Sequence, residues 1–312
     1  MTSYILKRLL ALIPILIFTS FVISTLVRLT PGDPALIMVG GRRTSPEILQ
    51  AIRQKYALDK SPLGQYAVWV NNAVRGNLGE SFRLKQNVSS LIAQRLPITL
   101  QLIVFSGILS LLIAIPLGIL AAVYKNSWVD YLASLISLLG MSSPVYFSGI
   151  VFILIFAYSL GWFPALGAGK GLWDRLYHLI LPSSVLALNM AALTSRMTRS
   201  SMLDVFSNDY ITVAKAKGLA WRKVVMHHAF RNALIPVITV AALQLGFLFV
   251  GSVLVEFTFG LGGLGSLITD AIQNRDYPVV QGTTLFLVTV FVLLNLITDL
   301  LYVAIDPRIR YS

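Results

Sequence analysis

Chemistry in a protein needs reactive groups at matched spacing, and this chain of 312 residues offers few. It has no cysteine, which excludes disulfides and thiolate metal sites. His178, His227 and His228 are its only histidines, and no pair of them shares a carboxylate at ligand spacing, so no bound metal is expected. No nucleophile–base–acid set stands out. The phosphate-cradling pattern G-x-x-x-x-G-K-[ST] is absent, so the chain itself is not expected to bind ATP. Gly260 to Gly265 does match G-x-G-x-x-G, but it follows an apolar segment rather than a strand and reads as a flexible loop. What remains is a handful of polar groups in apolar surroundings. Glu256 closes a long apolar run, and a carboxylate inside a bilayer is costly and usually functional. It can pair with a partner subunit, meet a substrate amine, or be hydrated at the interface. Ser143, Asn189 and Gln244 are the other groups able to line a pathway, and each can equally serve as an interhelical hydrogen bond. Asn295 and Asp299 lie one turn apart and fit helix packing better than substrate contact.

The elements that position these groups follow from composition. Hydrophobic residues make up 56 % of the chain and charged residues 12 %, against about 25 % in soluble domains. A membrane-crossing helix needs about 20 apolar residues. Six uncharged windows qualify: Leu9–Val27, Leu96–Tyr124, Tyr131–Gly169, Leu176–Ser195, Asn232–Val255 and Tyr277–Thr298. The third is long enough for a span plus a loop, and the fourth is the weakest. The first could be a secretory leader, but its apolar run of 19 residues is long for one, and it leads into Arg28-Leu29-Thr30-Pro31 without a small-x-small site. The fold expected is therefore all-α: a polytopic membrane protein with six transmembrane helices.

Orientation follows from the cations of short loops. With the N-terminus inside, the inner segments carry twelve Lys and Arg, and the short outer loops only Lys170, Arg175 and Arg275. Both termini are then cytoplasmic. The net charge of +12 fits basic loops facing anionic lipid better than it fits nucleic acid. The expected division is residues 1–29 for the N-terminus and first span, and 30–95 for an extracytoplasmic helical insertion between helices 1 and 2. Residues 96–305 form the core with an inner loop at 196–231, and 306–312 the tail.

Within the insertion, Ser45-Pro46-Glu47 reads as a helix start, with Leu49, Ile52 and Tyr56 on one face. Ser61-Pro62 reads as a second start and Asn87 as the cap of a third helix carrying Leu91 and Ile92. A packed subdomain and a set of helices lying on the lipid surface both fit. The inner loop is more telling. Asn208 or Asp209 can cap a short helix, Ala214-Lys215-Ala216-Lys217 continues it with cations at its negative end, and Gly218 suits the left-handed residue that ends it. A second helix then runs through Val224, Val225 and His228. Two short helices joined at a glycine and rimmed with cations can press into a groove on a soluble partner, and can equally be a basic loop held by anionic lipid.

Several motifs in order resemble the inner-membrane permease subunits of ABC importers, in the dipeptide, oligopeptide and nickel branch. They are Thr30-Pro31-Gly32-Asp33-Pro34, Gly76-Asn77-Leu78-Gly79-Glu80-Ser81, the run Arg196 to Val205, Asp209-Tyr210, Ala214 to Leu219, His228, Arg231 to Pro236, Arg275 to Gln281, and Asp306 to Arg310. Two departures stand out. The wider family has a proline where this chain has Arg231, with Pro236 following, and the Pro-Gly-Leu-Gly of the loop after span five is Gly262-Gly263-Leu264-Gly265 here. The resemblance implies one of two permease halves, paired with a homologous second permease, two cytoplasmic ATPase subunits that bind ATP and magnesium, and an extracytoplasmic substrate-binding protein. It implies that Thr212–Phe230 seats in the ATPase groove. The residues carrying that contact would be Asp209, Tyr210, Ala214, Lys215, Ala216, Lys217, Gly218, Leu219, His228, Arg231 and Asn232. It places the chain in a bacterial or archaeal cytoplasmic membrane.

Other classes fit less well. An intramembrane enzyme would need paired acids or a Ser-Lys set within the spans. A membrane-anchored DNA-binding helix-turn-helix would need a packed core that the inner loop is too short to supply. A secondary transporter would usually show inverted repeats, and none is evident. Among cargoes, relatives carry dipeptides, longer peptides, glutathione-like peptides and nickel or its chelates. The lack of a Cys or His cluster in the spans leans toward peptides over free metal.

Overall fold

The computed structural model describes residues 2–29, 35–36, 45–55 and 58–305. The motif Thr30–Pro34, the tail Asp306–Arg310 and the side chains of Ile52, Tyr56 and Asp299 lie outside the described residues. Among the described residues the regular structure is helical, apart from one isolated bridge between Glu80 and Asn87.

The chain opens with α1 (Thr2–Leu29), whose apolar stretch is Leu10–Thr25. Then come α2 (Pro46–Lys55) and α3 (Pro62–Val74). Ser61 caps α3 as its sequence suggests: its Oγ accepts the Gly64 amide at 3.3 Å, with Pro62 at the first helical position. The third helix expected at Asn87 is not separate. Its residues are the first turns of α4 (Val88–Val123), a helix of 36 residues. Arg95 lies within α4, and its guanidinium donates to the Gly262 carbonyl at 2.8 Å.

The third apolar window is a bent pair, α5 (Trp128–Ser142) and α6 (Val145–Ser159), turned by 112°. Pro144 supplies no amide, and the residue before it is driven out of the helical region, so Ser143 is extended at φ −83°, ψ 126°. The last turns of α6 are π-helical. After it come α7 (Gly171–Phe206), α8 (Asp209–Ala216), α9 (Trp221–Phe259), α10 (Leu264–Gln273) and α11 (Tyr277–Ile305). Among the described residues, α4, α7, α9 and residues Tyr277–Thr298 of α11 are long and apolar enough to cross a membrane, and the bent pair makes a fifth if taken as one span. The apolar stretch of α1 is shorter.

Two compact units are present. One comprises residues 1–97 and 262–293 and is built around Val88, Leu91, Ile92, Leu264, Leu267, Ala271 and Val279. In it α3 packs on α1 through Tyr66, which stacks edge-on against Phe21 and hydrogen-bonds Ser20 Oγ at 2.7 Å. The other comprises residues 98–261 and 294–312. Its central helix is α7, where Leu179, Val185, Leu186, Ala187, Met190, Thr194, Thr198 and Met202 are buried. Gly118 of α4 lies against it so closely that a Cβ there would sit 2.5 Å from Thr198 Cβ and 2.6 Å from the Ser195 carbonyl. Close backbone approach through small residues is how helices associate in lipid, where apolar burial gives little preference.

Candidate functional site

The site is built where α7 ends. Ser207 Oγ donates to the Asp204 carbonyl at 2.6 Å, and Asn208 Nδ2 donates to the carbonyls of Asp204 and Val205, each at 3.2 Å. Asn208 has the backbone of an N-cap for α8 but makes no side-chain cap bond there. Its amide closes the preceding helix instead. Asp209 then opens α8 at its positive end and Lys215 sits in its last turn, both matching the helix dipole.

The end of α8 is a paired-bond helix stop. The Gly218 amide donates to the Lys215 carbonyl at 2.9 Å, the Leu219 amide reaches the Ala214 carbonyl at 3.4 Å, and Gly218 sits at φ +74°. Leu219 completes the motif by packing on the core beneath. That core holds Ala122, Met202, Ile211, Ala214, Val224, Val225, Ala229 and Ala233. Trp221 stacks on Phe206 at 5.5 Å, and Lys215 Nζ lies 4.6 Å from the Trp221 ring. Asn232 Nδ2 donates to Tyr210 Oη at 3.0 Å and to the His228 carbonyl at 2.7 Å, pinning α8 to the start of the next rod.

The second helix of this element is not short. Trp221 begins α9, which runs on through a π-helical stretch, Val224–Phe230, into the long apolar helix up to Phe259. Single π-turns inside α-helices are common at functional sites. Of the expected contact residues, Ala214 is buried and holds α8 down, and Leu219 and His228 are half-buried. Asp209, Tyr210, Lys215, Ala216, Lys217, Gly218, Arg231 and Asn232 are exposed on one projecting element. Beside them, Val213, Trp221 and Met226 expose apolar surface, and Arg222 and Lys223 add cations. α8 thus presents a basic and partly apolar surface, held from beneath by Ile211 and Ala214 in the core.

The four polar residues expected along a path are placed differently from one another. Asn189 Nδ2 on α7 donates to the Gly140 carbonyl on α5 at 3.1 Å, and half-buried Ser143 is the hinge of the bend three residues on. Gln244 is half-buried on α9, and Glu256, fully buried, lies about 18 Å further along the same helix. Among the described residues no cluster of three His, Cys, Asp or Glu side chains could hold a metal.

Two arrangements escaped sequence reasoning. Asp130 on α5 and Arg199 on α7 form a two-pronged ion pair at 2.6 and 2.8 Å. Asp276 is buried and accepts hydrogen bonds from Ser81 Oγ at 2.5 Å and from the amides of Phe82 and Arg83 at 3.1 and 3.2 Å. The motif segments at 76–81 and 275–281 are therefore one latch. Each carboxylate is visible in the sequence as an acid in a mostly uncharged stretch, but its partner lies 69 or nearly 200 residues away, beyond any local spacing rule.

Comparison with known proteins gives consistent results. Residues 114–311 match the family described as binding-protein-dependent transport system inner membrane component, and residues 1–103 match its N-terminal counterpart. The glutathione transport system permease protein GsiC of Escherichia coli O6:H1 (strain CFT073) is 41 % identical over 312 residues, covering all of both chains. A putative peptide transport system permease protein of Brucella abortus (strain 2308) is 42 % identical over 317 residues, again covering both fully. Among solved structures, a chain of the inward-facing MetNI methionine ABC transporter superposes with a TM-score of 0.59 at 20 % identity. That likeness is one of fold, over 69 % of this chain and 96 % of the other.

Proposed function

The chain belongs to the inner-membrane components of binding-protein-dependent transport systems, the permeases of ABC importers, and we propose that its cargo is short peptides, glutathione among them. It is a multi-pass protein of the bacterial inner membrane and a transport subunit, with ATP hydrolysis left to separate subunits. The observation that carries the reading is the α8–Gly218–α9 element: an exposed, cation-rimmed helix packed on a core that includes Met202 near the end of α7. In the proposed assembly a second, homologous permease completes the path, and two cytoplasmic ATPases receive α8 through Asp209, Tyr210, Lys215, Ala216, Lys217 and Gly218. Their closure on ATP and magnesium rocks the halves, and this chain holds no nucleotide of its own. A binding protein delivers cargo on the opposite face. Both termini lie on the ATPase side, following the cation bias of the loops. Ser143, Asn189, Gln244 and Glu256 are the groups proposed to take part in the path. The names of the relatives, glutathione and peptide permeases, favour peptides over the nickel-chelate alternative.

The test is a pull-down of the tagged chain from detergent-solubilised membranes, read by mass spectrometry. Co-purification of a second polytopic permease and one or two P-loop ATPases is expected, and the accompanying binding protein is then assayed for glutathione and dipeptide binding. A chain that purifies alone and still transports would overturn the assembly. A binding protein that ignores peptides and takes up nickel chelates would overturn the cargo.

A further inference from the structure

Asp130 sits in the first turn of α5 with its side chain 4 % exposed, and its carboxylate is bonded three times. Arg199 Nε reaches Oδ1 at 2.6 Å, Arg199 Nη2 reaches Oδ2 at 2.8 Å, and the Asn126 amide donates to Oδ2 at 3.0 Å. Forked pairing of this kind fixes orientation as well as distance, which a lysine cannot do. Asn126 holds the tight turn out of α4, at φ 62°. Arg199 lies on α7 two turns before its end at Phe206, and α8 follows directly. One carboxylate therefore ties together the α4–α5 turn, the start of α5 and the part of α7 that carries α8.

We infer that Asp130 and Arg199 are positioning residues for energy coupling: they clasp α5 and the α4–α5 turn to the shaft of α7, so that a displacement of α8 moves all three as one body. This inference rests on α8 being the ATPase-coupling element. Without the clasp, α8 still engages its ATPase, but its movement is lost at the free end of α5. A pair that serves folding alone would alter how much complex forms and leave the behaviour of assembled complex untouched.

The experiment uses the whole complex, reconstituted in phosphatidylethanolamine–phosphatidylglycerol liposomes, with purified binding protein and reduced glutathione as the probe. The readout is the ratio of binding-protein-stimulated to basal ATP hydrolysis, which does not require the cargo to cross. Asp130→Asn and Arg199→Lys are each expected to lower that ratio about three- to tenfold, in the range by which residues along a coupling route act. The cysteine-free sequence allows a second arm: Asp130→Cys with Arg199→Cys, bridged by a short bis-methanethiosulfonate, is expected to keep the wild-type ratio. Assembled single variants with an unchanged ratio would overturn the clasp, as would a bridged complex that is no longer stimulated, since the pair would then have to open. If the single variants do not assemble, the bridged form decides. A wild-type complex whose ATPase ignores its binding protein sinks the coupling role of α8 itself and the clasp with it. Stimulation without glutathione uptake sinks only glutathione as a cargo.

Discussion

Gly218 is where folding and coupling can be separated. It sits at φ +74°, and a Cβ added there meets nothing within 4 Å. A side chain at this position thus costs backbone strain alone, about 1–2 kcal/mol for most residues and less for Asp or Asn, which visit the left-handed region. Aspartate adds a negative charge at the negative end of α8, about 0.3–1 kcal/mol unfavourable, and Lys215 and Lys217 beside it offset part of that. The local cost is therefore about 1–2 kcal/mol. Against it stands the core under α8, where fully buried Ile211 and Val224 alone contribute about 3–6 kcal/mol. Gly218→Asp should reach the membrane and co-purify with the second permease at wild-type amounts. At the partner surface the new carboxylate is a different matter: an unpaired charge trapped in an interface costs about 2–5 kcal/mol, which corresponds to at least a tenfold fall in uptake per ATP hydrolysed. Inside-out and right-side-out vesicles, radiolabelled glutathione, phosphate release and an immunoblot for membrane content measure each quantity separately. Gly218→Asn, which has the same shape and conformational tolerance but no charge, should retain most of the uptake. Full transport by Gly218→Asp would refute the placement of α8 at the ATPase. Loss of the protein from the membrane would refute the energetic reasoning instead.

Three further outcomes are expected. Asp276→Asn removes the charge from the latch that holds the Phe82 and Arg83 amides, at about 1.5–3 kcal/mol for a charged hydrogen bond, so trypsin should cut at exposed Arg83 and Lys85 at least tenfold faster. An unchanged cleavage rate would show that the latch does not restrain the loop. Gly118→Ala forces a methyl to within 2.6 Å of the Ser195 carbonyl, a backbone atom that cannot rotate away, so overpacking of about 1–3 kcal/mol should lower membrane content. Gly107→Ala, whose methyl would meet Leu245 and Leu248 at an ordinary 3.8 Å, should not, and equal behaviour of the two would contradict the packing described. Reporters inserted beside Lys170 and beside Gly218 should read opposite compartments, and added Lys or Arg near Lys170 should disturb that pattern; same-side reporters would overturn the orientation.

Legibility in the sequence followed how local the cause was. The start of α3 was readable because Ser61 and Pro62 act within one turn, and the stop at Gly218 because only a left-handed residue closes such a helix end. The continuity of α4 through Arg95 was not, since a charge at the edge of an apolar window reads as a boundary. Pro116, Pro144 and Pro236 each fall inside an apolar window. Only Pro144 splits its window into two helices, with Ser143 free to go extended after Gly140-Met141-Ser142, whereas Pro116 and Pro236 lie within continuous helices among aliphatic neighbours. The π-helical stretch at Val224–Phe230 has no composition of its own, and Asn208 showed which residue is polar but not which of two helices it would cap.

The same helix that carries α8 at one end carries a candidate path residue further in. Asn189 lies 17 residues, about 26 Å, before Phe206 on α7, with Arg199 between them. Its amide holds the Gly140 carbonyl, just before the α5–α6 bend at Ser143. On the proposed reading, a push on α8 reaches α5 at two heights, through Arg199–Asp130 and through Asn189–Gly140, with no joint in α7 between them. The bend at Ser143 then passes that push to α6, which is itself held against α9, where a Cβ on Gly149 would lie 3.2 Å from Thr258 Cγ2.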